Sequence, residues 1–123
     1  MAEANRAETI RQIFAAYLAN DRKVVENALG DDFRFTSPYD DAIDKPTYFD
    51  RCWKNSDWIE RNELERILVE GDEAFVTYLC VAKAGKRFRN TEFFVFQGDR
   101  VKRIEVYFGA TYENGAFVRQ SES

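Results

Sequence analysis

The segment RNTEFFVF, residues 89–96, places one acidic side chain inside a run otherwise suited to a buried strand. Side chains alternate between two faces along a strand, so Asn90, Glu92 and Phe94 share one face. Apolar surroundings desolvate a carboxyl group and raise its pKa, so Glu92 could donate a proton or, once ionised, act as a base. The alternative is structural: Glu92 could pair with an arginine and satisfy the sheet.

Other routes to catalysis are restricted by composition. The chain has no histidine, which removes the commonest general base and every Ser-His or Cys-His nucleophile. Its two cysteines, Cys52 and Cys80, do not form a CxxC motif, and we expect reduced, buried thiols, although sequence alone leaves a disulfide open. Acid–base chemistry must therefore use carboxylates, tyrosines or lysines, and we expect no metal and no cofactor.

Further acids occur in SPYDDAID, residues 37–44. Asp44 precedes Lys45-Pro46 and is predicted to cap a helix. Asp40 and Asp41 are predicted to lie on a loop after a short strand. They could reach the mouth of a pocket and supply a base there, or they could simply be solvated acids on a loop.

Composition indicates one globular domain, residues 1–123, with a core at about 7–112. Hydrophobic residues make up 45% and charged residues 33% of the chain, and no apolar run approaches the ~20 residues of a membrane span. MAEANRAETI lacks the apolar stretch of a secretory signal, so we expect a cytoplasmic protein. The net charge is −4, and the basic cluster around Ala84-Gly85 is interpreted as a hairpin tip rather than a nucleic-acid site.

The N-terminal half has helical periodicity. Apolar residues from Ala7 to Ala19 follow helical spacing, Asn20-Asp21 interrupts that helix and can cap a second short one, and Gly30 ends it. FRFTSP then predicts a strand, and a third helix is expected from Pro46 to about Asn55.

The C-terminal half has strand periodicity. Turn residues at 70–72, 84–85 and 98–99 separate four predicted strands, Leu64–Val69, Ala74–Ala82, Phe88–Phe96 and Val101–Tyr112. Three consecutive hairpins give a largely antiparallel meander, and helices followed by strands indicate an α+β fold.

Two of these strands, AFVTYLCVA and FFVF, are apolar on both faces. The helices can cover only one face, and a solvent-facing antiparallel sheet should alternate apolar and polar residues. We therefore expect a homodimer that buries the outer sheet face. A curled sheet covered by the C-terminal segment is the alternative.

Five stretches carry a resemblance to a known family: AYLANDRKVVENAL, DDFRFTSP, DKPTYFDRCWKNS, FRNTEFFVF and VKRIEVYFGATY. Together they resemble the SnoaL-like and ketosteroid-isomerase-like branch of the nuclear transport factor 2-like superfamily. The resemblance implies a cone-shaped α+β roll, in which three N-terminal helices pack on a strongly curved, largely antiparallel sheet. Members of that superfamily include isomerases, polyketide cyclases, dehydratases and noncatalytic binding modules, so the fold does not determine an activity.

The resemblance also implies an apolar pocket inside the cone. In ketosteroid isomerase a carboxylate base moves a proton while a tyrosine and a protonated acid hold the oxyanion. The tyrosine position is occupied here by Phe14 and the base position by Ser37, whereas Glu92 keeps the carboxyl of the oxyanion acid. Because one of three groups remains, we do not expect steroid isomerisation by that mechanism.

We expect a pocket that binds a small apolar or aromatic metabolite, with Glu92 as the proton-handling group of an isomerase, cyclase or dehydratase type of reaction. Asp40 and Asp41 are the other candidate catalytic residues. The alternative is a noncatalytic dimerisation or protein-interaction module. The expected lining residues are Phe14, Tyr17, Phe35, Ser37, Tyr39, Tyr48, Trp53, Trp58, Asn90, Phe94, Val106 and Phe108.

Overall fold

The computed structural model describes residues 2–119, except for the side chains of residues 2 and 54–56. Three α-helices are present, α1 (Ala2–Leu18), α2 (Arg22–Ala28) and α3 (Lys45–Cys52), and a 3-10 helix (Trp53–Trp58) continues α3. The Asp44 carboxylate accepts a hydrogen bond from Thr47 N at 3.1 Å, which confirms the predicted cap. Asp21 occupies the N-cap position of α2 but makes no side-chain capping hydrogen bond.

The sheet contains seven strands, β1 (Leu29–Ser37), β2 (Asp40–Asp44), β3 (Ile59–Glu70), β4 (Glu73–Ala82), β5 (Arg87–Gln97), β6 (Arg100–Glu113) and β7 (Ala116–Val118). Their order is β2-β1-β6-β5-β4-β3, and β7 pairs with β6. The predicted β3–β6 meander is confirmed, and among the described strands only β1 and β6 run parallel. The α+β fold with three helices on a curved, largely antiparallel sheet is therefore confirmed.

Two strands were not predicted. Asp40 and Asp41 lie on β2 rather than on a loop, because the chain reverses at Pro38-Tyr39 and Asp40 pairs with Ser37. The acidic DDAID segment has low strand propensity, but β2 is an edge strand, where charged residues are tolerated. The short strand β7 forms a second unpredicted hairpin with the end of β6.

The sheet curves where its strand registers shift. One irregularity lies between Leu64 and Arg66 on β3, and another between Phe88 and Asn90 on β5. At the second, Gly109 of β6 approaches β5 so closely that a Cβ atom there would lie 2.3 Å from the Arg89 carbonyl oxygen. Only glycine fits this position without displacing backbone, and the bulge turns β5 and β6 around the helices.

The core lies between the concave sheet face and the helices. As predicted, Asn90, Phe94 and Phe96 of β5 face inward and are buried, while Ile104 and Val106 of β6 pack from the neighbouring strand. Residues on the opposite face of β4 and β5 are more exposed, and Phe75 retains 49% of its accessible surface. The two faces of the sheet are thus in different environments although both carry apolar residues.

Arg6 of α1 connects the helix to two hairpin turns. Its guanidinium donates hydrogen bonds to the carbonyl oxygens of Gly71 and Gly98 and pairs with Asp72 at 2.8 Å. It also lies over the Phe96 ring, 5.3 Å from the centroid. The Arg6 side chain is only 15% exposed, although its partner Asp72 is 70% exposed, and together these contacts fix the start of α1 on the sheet.

We expect Arg6→Ala to lower the free energy of unfolding by about 2 kcal/mol, because two carbonyl acceptors and a carboxylate lose their partner together. Arg11→Ala is the matched control, since Arg11 lies on the same helix but is 55% exposed and, among the described residues, forms its side-chain hydrogen bond and ion pair with Glu8 alone. Its effect should stay within about 0.5 kcal/mol. Urea unfolding followed by circular dichroism gives both values, and equal losses would contradict the role assigned to Arg6.

Candidate functional site

Three polar side chains form a hydrogen-bonded chain on the concave face of the sheet. Tyr78 of β4 donates its hydroxyl proton to Glu92 Oε2 at 2.5 Å. The Asn90 amide donates to the Tyr78 hydroxyl oxygen at 3.1 Å. The strand register explains this arrangement, because Tyr78 pairs directly with Asn90 and lies diagonally to Glu92 on the same face. The direction of donation runs from Asn90 through Tyr78 to the carboxylate.

Burial changes the acidity of both ends of the Tyr78–Glu92 bond. Desolvation raises the pKa of Glu92 to about 7, although the hydrogen bond from Tyr78 opposes part of the shift. The pKa of Tyr78 is raised well above its usual value by burial, by the Glu92 charge and by the hydrogen bond itself. Glu92 can therefore exchange a proton near neutral pH while Tyr78 remains a donor.

The arginine pairing considered from the sequence is not observed. Among the salt bridges of the described residues none includes Glu92, whose hydrogen-bond partner is Tyr78. The sequence interpretation overlooked Tyr78 even though its position carried a signal. Within AFVTYLCVA it alternates with Val76 and Cys80, which places it on the inward face.

Aromatic rings surround this polar chain. Phe14 of α1 packs edge-on against Tyr78 with centroids 4.8 Å apart. Tyr17, one turn further along α1, donates to the Cys52 carbonyl oxygen at 3.0 Å, and its pKa is raised by burial and by nearby Cys52 and Glu92. Tyr48 is buried, and its pKa is raised by burial and then by Tyr17 and Glu92. The structure thus brings Phe14, Tyr17 and Tyr48 near Glu92.

One buried polar atom next to the Tyr78–Glu92 pair lacks a protein partner among the described residues. Asn90 Oδ1 is buried and accepts no hydrogen bond. Nearby, the Tyr48 ring packs against Phe33, Phe35 and Phe49. Buried polar atoms without partners are uncommon and are typical of positions that receive water or a ligand.

Asp40 lies in a second polar cluster at the end of β1. Its side chain is 7% exposed, and its Oδ2 accepts a hydrogen bond from Ser37 Oγ at 2.9 Å. The Cys52 thiol donates to the same oxygen at 3.9 Å. Arg51 Nε lies 2.8 Å from Oδ1, but that atom accepts no hydrogen bond, so the contact is an ion pair without hydrogen-bond geometry. Asp41, the neighbouring acid, is exposed.

The cysteines have the predicted state. Cys52 and Cys80 are free and buried, and the pKa of each is raised to about 12 by burial, with a further contribution from Asp40 at Cys52. Both thiols therefore remain protonated and unreactive at neutral pH. Among the described side chains no group of three or more His, Cys, Asp or Glu residues could hold a metal ion.

The remaining predicted lining residues divide between core and rim. Phe35, Phe94 and Val106 are buried in the core. Tyr39 and Phe108 are exposed and contact each other with ring centroids 5.6 Å apart. Trp58 is half-exposed and packs on Phe88, away from Glu92 on the strand register.

Two clefts open on the described surface. One, of about 630 Å³, lies on the outer sheet face around Arg87 and Tyr112. The other, of about 370 Å³, is lined by Asn20, Arg22, Trp53 and Asp57. Neither is lined by Glu92 or Asn90, so an open cavity at Glu92 remains a prediction. The second cleft ends on Trp53, whose ring packs edge-on against Tyr17 at 5.5 Å.

Three solved structures show the same fold. A candidate SnoaL-like polyketide cyclase from Jannaschia sp. CCS1 has a TM-score of 0.76 and 16% identity, with 86% of each chain covered. AclR, a candidate hydroxylase from Streptomyces galilaeus, has a TM-score of 0.75 and 14% identity over 87% of this chain and 90% of that one. An NTF2-like protein of unknown function from Burkholderia xenovorans LB400 has a TM-score of 0.73 and 19% identity over 90% and 88%.

These similarities establish that the protein has the NTF2-like fold, of which the SnoaL-like form is one version. No family model matches the sequence, and no curated protein matches it. No helix within residues 2–119 is long and apolar enough to cross a membrane.

We expect Glu92→Gln to gain stability relative to the wild type as pH rises. Because the folded pKa of Glu92 lies above its unfolded value, the contribution of Glu92 to wild-type stability is complete below about pH 4.5 and is lost as pH rises to about 7. Glutamine has no proton to lose. The difference in unfolding free energy should therefore shift by about 2 to 3 kcal/mol in favour of the variant across that interval.

Urea unfolding of both proteins at fixed ionic strength, at several pH values, measures this difference. Subtracting the wild-type curve removes the contribution of every other titrating group. A difference that stays constant with pH would contradict a desolvated carboxyl at this position.

Proposed function

We propose that this protein is a cytoplasmic, single-domain binding protein for a small apolar or aromatic metabolite, held inside the cone, and that it performs cofactor-free acid–base chemistry with Glu92. One observation carries the proposal: a carboxyl group with a pKa near 7 lies among aromatic side chains and is hydrogen-bonded to a tyrosine. Neutral carboxyl groups in apolar sites are suited to donating a proton or a hydrogen bond to a substrate oxygen.

The polar atoms around Glu92 fit a ligand that carries an oxygen and a donor on an otherwise apolar skeleton. A ligand oxygen could accept from the Tyr48 hydroxyl or from protonated Glu92. A ligand hydroxyl could donate to Asn90 Oδ1, which has no protein donor among the described residues. The Tyr78 hydrogen bond fixes the orientation of the carboxyl during either exchange.

Access is expected through the cleft at Trp53. The indole N–H donates to Asn20 Oδ1 at 2.9 Å, and Asn20 occupies the turn that ends α1 with a φ of 59°. On its inner side Trp53 contacts Tyr17 and Phe49. A rotation of this indole would connect the cleft with the aromatic region next to Glu92.

Asp40 is the better candidate for a second carboxylate. It is buried and bonded to Ser37, the position that corresponds to the base in ketosteroid isomerase, whereas Asp41 is exposed. Arg51 Nε lies 2.8 Å from its Oδ1, so a guanidinium group adjoins this carboxyl group. A reaction with two carboxylates would use Asp40 to remove a proton and protonated Glu92 to stabilise the product oxygen.

A noncatalytic dimerisation module is the second candidate function. The observation that favours it is the apolar surface on the convex sheet face, where Leu68 is 68% and Phe75 49% exposed. Phe75 packs on Phe93 of the next strand, which extends the patch across three strands. We propose that a second copy of the chain covers this patch, and such a dimer is compatible with either function.

Native mass spectrometry of the purified protein tests both candidates together. A small apolar molecule that co-purifies with the dimer would support the binding function. Once a reaction of that molecule is identified, we expect Glu92→Gln to lower its rate at least ~100-fold with the fold intact. Glu105→Gln is the matched control, because Glu105 also accepts a tyrosine hydrogen bond, from Tyr107 at 2.7 Å, but on the outer face. A Glu92→Gln rate equal to that of the control would refute the catalytic role.

We expect Phe75→Lys to convert the dimer to a monomer, because a charge at the centre of the patch would remain unpaired at the interface. Phe117→Lys is the control, since Phe117 is 69% exposed but lies on β7, away from the patch. Analytical ultracentrifugation of the two variants and the wild type gives the subunit count. A monomeric wild type would reject the homodimer.

A further inference from the structure

The 630 Å³ cleft on the outer sheet face is lined by arginines, aromatic residues and turn glycines. It lies where the β4–β5 turn and the β6–β7 turn come together, and its volume is within the range of small-molecule sites. Gly85 and Gly115, one in each turn, leave open space beside them. Its lining residues are Leu79, Gly85, Arg87, Phe88, Arg89, Ala110, Tyr112, Asn114 and Gly115.

Positive charge is concentrated at this cleft. The Arg87 side chain is exposed and makes no hydrogen bond or ion pair with the other described side chains. Arg89 is held by Glu65 of β3 through hydrogen bonds of 2.9, 3.1 and 3.2 Å. Lys83 and Lys86 flank the same turn in sequence. An exposed guanidinium group that lines a cleft favours the binding of an anion there.

Exposed aromatic rings adjoin the free guanidinium. Tyr112 pairs with Arg87 across β5 and β6, so both side chains lie on the same face of the sheet. Tyr112 also makes an edge contact with Phe117 of β7, with centroids 6.5 Å apart, and both rings are exposed. An aromatic ring next to a guanidinium group is suited to a ligand that has a planar aromatic ring and a negative charge.

The apolar patch proposed for the dimer occupies a different part of the outer face. That patch follows the register Leu68–Phe75–Phe93, toward the β3–β4 turn. The cleft lies near the paired residues Val81, Arg87 and Tyr112, at the end of β4 and β5 that is next to the β4–β5 turn. The two surfaces are therefore separable by mutation.

We propose that this cleft is a second binding site, distinct from the Glu92 site, for a small aromatic anion whose carboxylate contacts Arg87 and whose ring lies against Tyr112. Arg89 adds positive charge, and its bonds to Glu65 keep it in place. The inference does not depend on the function proposed for Glu92, because the cleft lies on the other face of the sheet.

Titration with 2-naphthoate, followed by amide chemical shifts of the full chain, tests this site. Gly85 and Gly115 should shift saturably, whereas Gly30, Gly71 and Gly98, which lie outside the cleft, should not. The uncharged analogue 2-naphthalenemethanol should bind more weakly, because it cannot pair with the guanidinium. Arg87→Gln should weaken 2-naphthoate binding about fivefold.

Arg66→Gln is the matched control. Arg66 is an exposed arginine of β3 that does not line the cleft. It should leave the affinity unchanged, and so should Glu92→Gln. The proposal is overturned if the two cleft glycines do not shift, if Arg87→Gln and Arg66→Gln weaken binding equally, or if the uncharged analogue binds as tightly.

Discussion

The curvature of the sheet is the constraint on which the other features of this protein depend. A flat sheet would cover the helices on one side only and leave its centre accessible to water. The register shifts in β3 and β5, together with the close approach of Gly109 to Arg89, turn the strands around α1. Enclosure of the concave face then removes water from the side chains on that face, and one of these is the carboxyl group of Glu92. The raised pKa of Glu92 is thus a consequence of burial by the curved backbone rather than of a neighbouring charge.

The same curvature separates two kinds of apolar residue. Val76 and Phe94 are fully buried on the concave side, whereas Phe75 and Leu68 remain exposed on the convex side. Hydrophobicity alone does not distinguish these positions, since both occur in continuous apolar runs. Burial of Val76 and Phe94 stabilises the folded chain. The exposed apolar surface of Phe75 and Leu68 would be removed from water if another molecule bound there. The polar ends of the convex face, with Arg87 and Glu65, are suited to ligands of a different character.

Much of this organisation could be predicted from the sequence because it depends on local patterns. Helical spacing located α1, Asp44 with Pro46 located the start of α3, and turn residues separated β3 to β6. Strand alternation also placed Asn90 and Glu92 on one common face, and the family resemblance identified that face as the inward one. These features need only neighbouring residues, so a single sequence is sufficient to recognise them.

What the sequence did not predict depends on pairing between distant residues. Strand β2 has weak intrinsic propensity and exists because β1 offers it an edge. The bond between Tyr78 and Glu92 requires the register of β4 and β5, which the sequence does not specify by itself. The placement of Asp40 beside Ser37 and Cys52 likewise depends on a tight reversal at Pro38-Tyr39 and on the position of α3.

The parallel pairing of β1 with β6 has a consequence for how the chain folds as it is made. Leu29 pairs with Val101, and Phe35 pairs with Ile104. Strand β1 is therefore synthesised early but cannot pair with β6 until most of the chain has been made. The hairpins of β3, β4 and β5 can form as they emerge from the ribosome. Strands β1 and β2 can join the sheet only after β6 has been synthesised, because β1 pairs with β6. Contacts of such long sequence separation slow folding, because the loop must close before the contacts stabilise it. The cone is therefore completed only after most of the chain has been translated, and until then the future interior remains open to the surrounding cell.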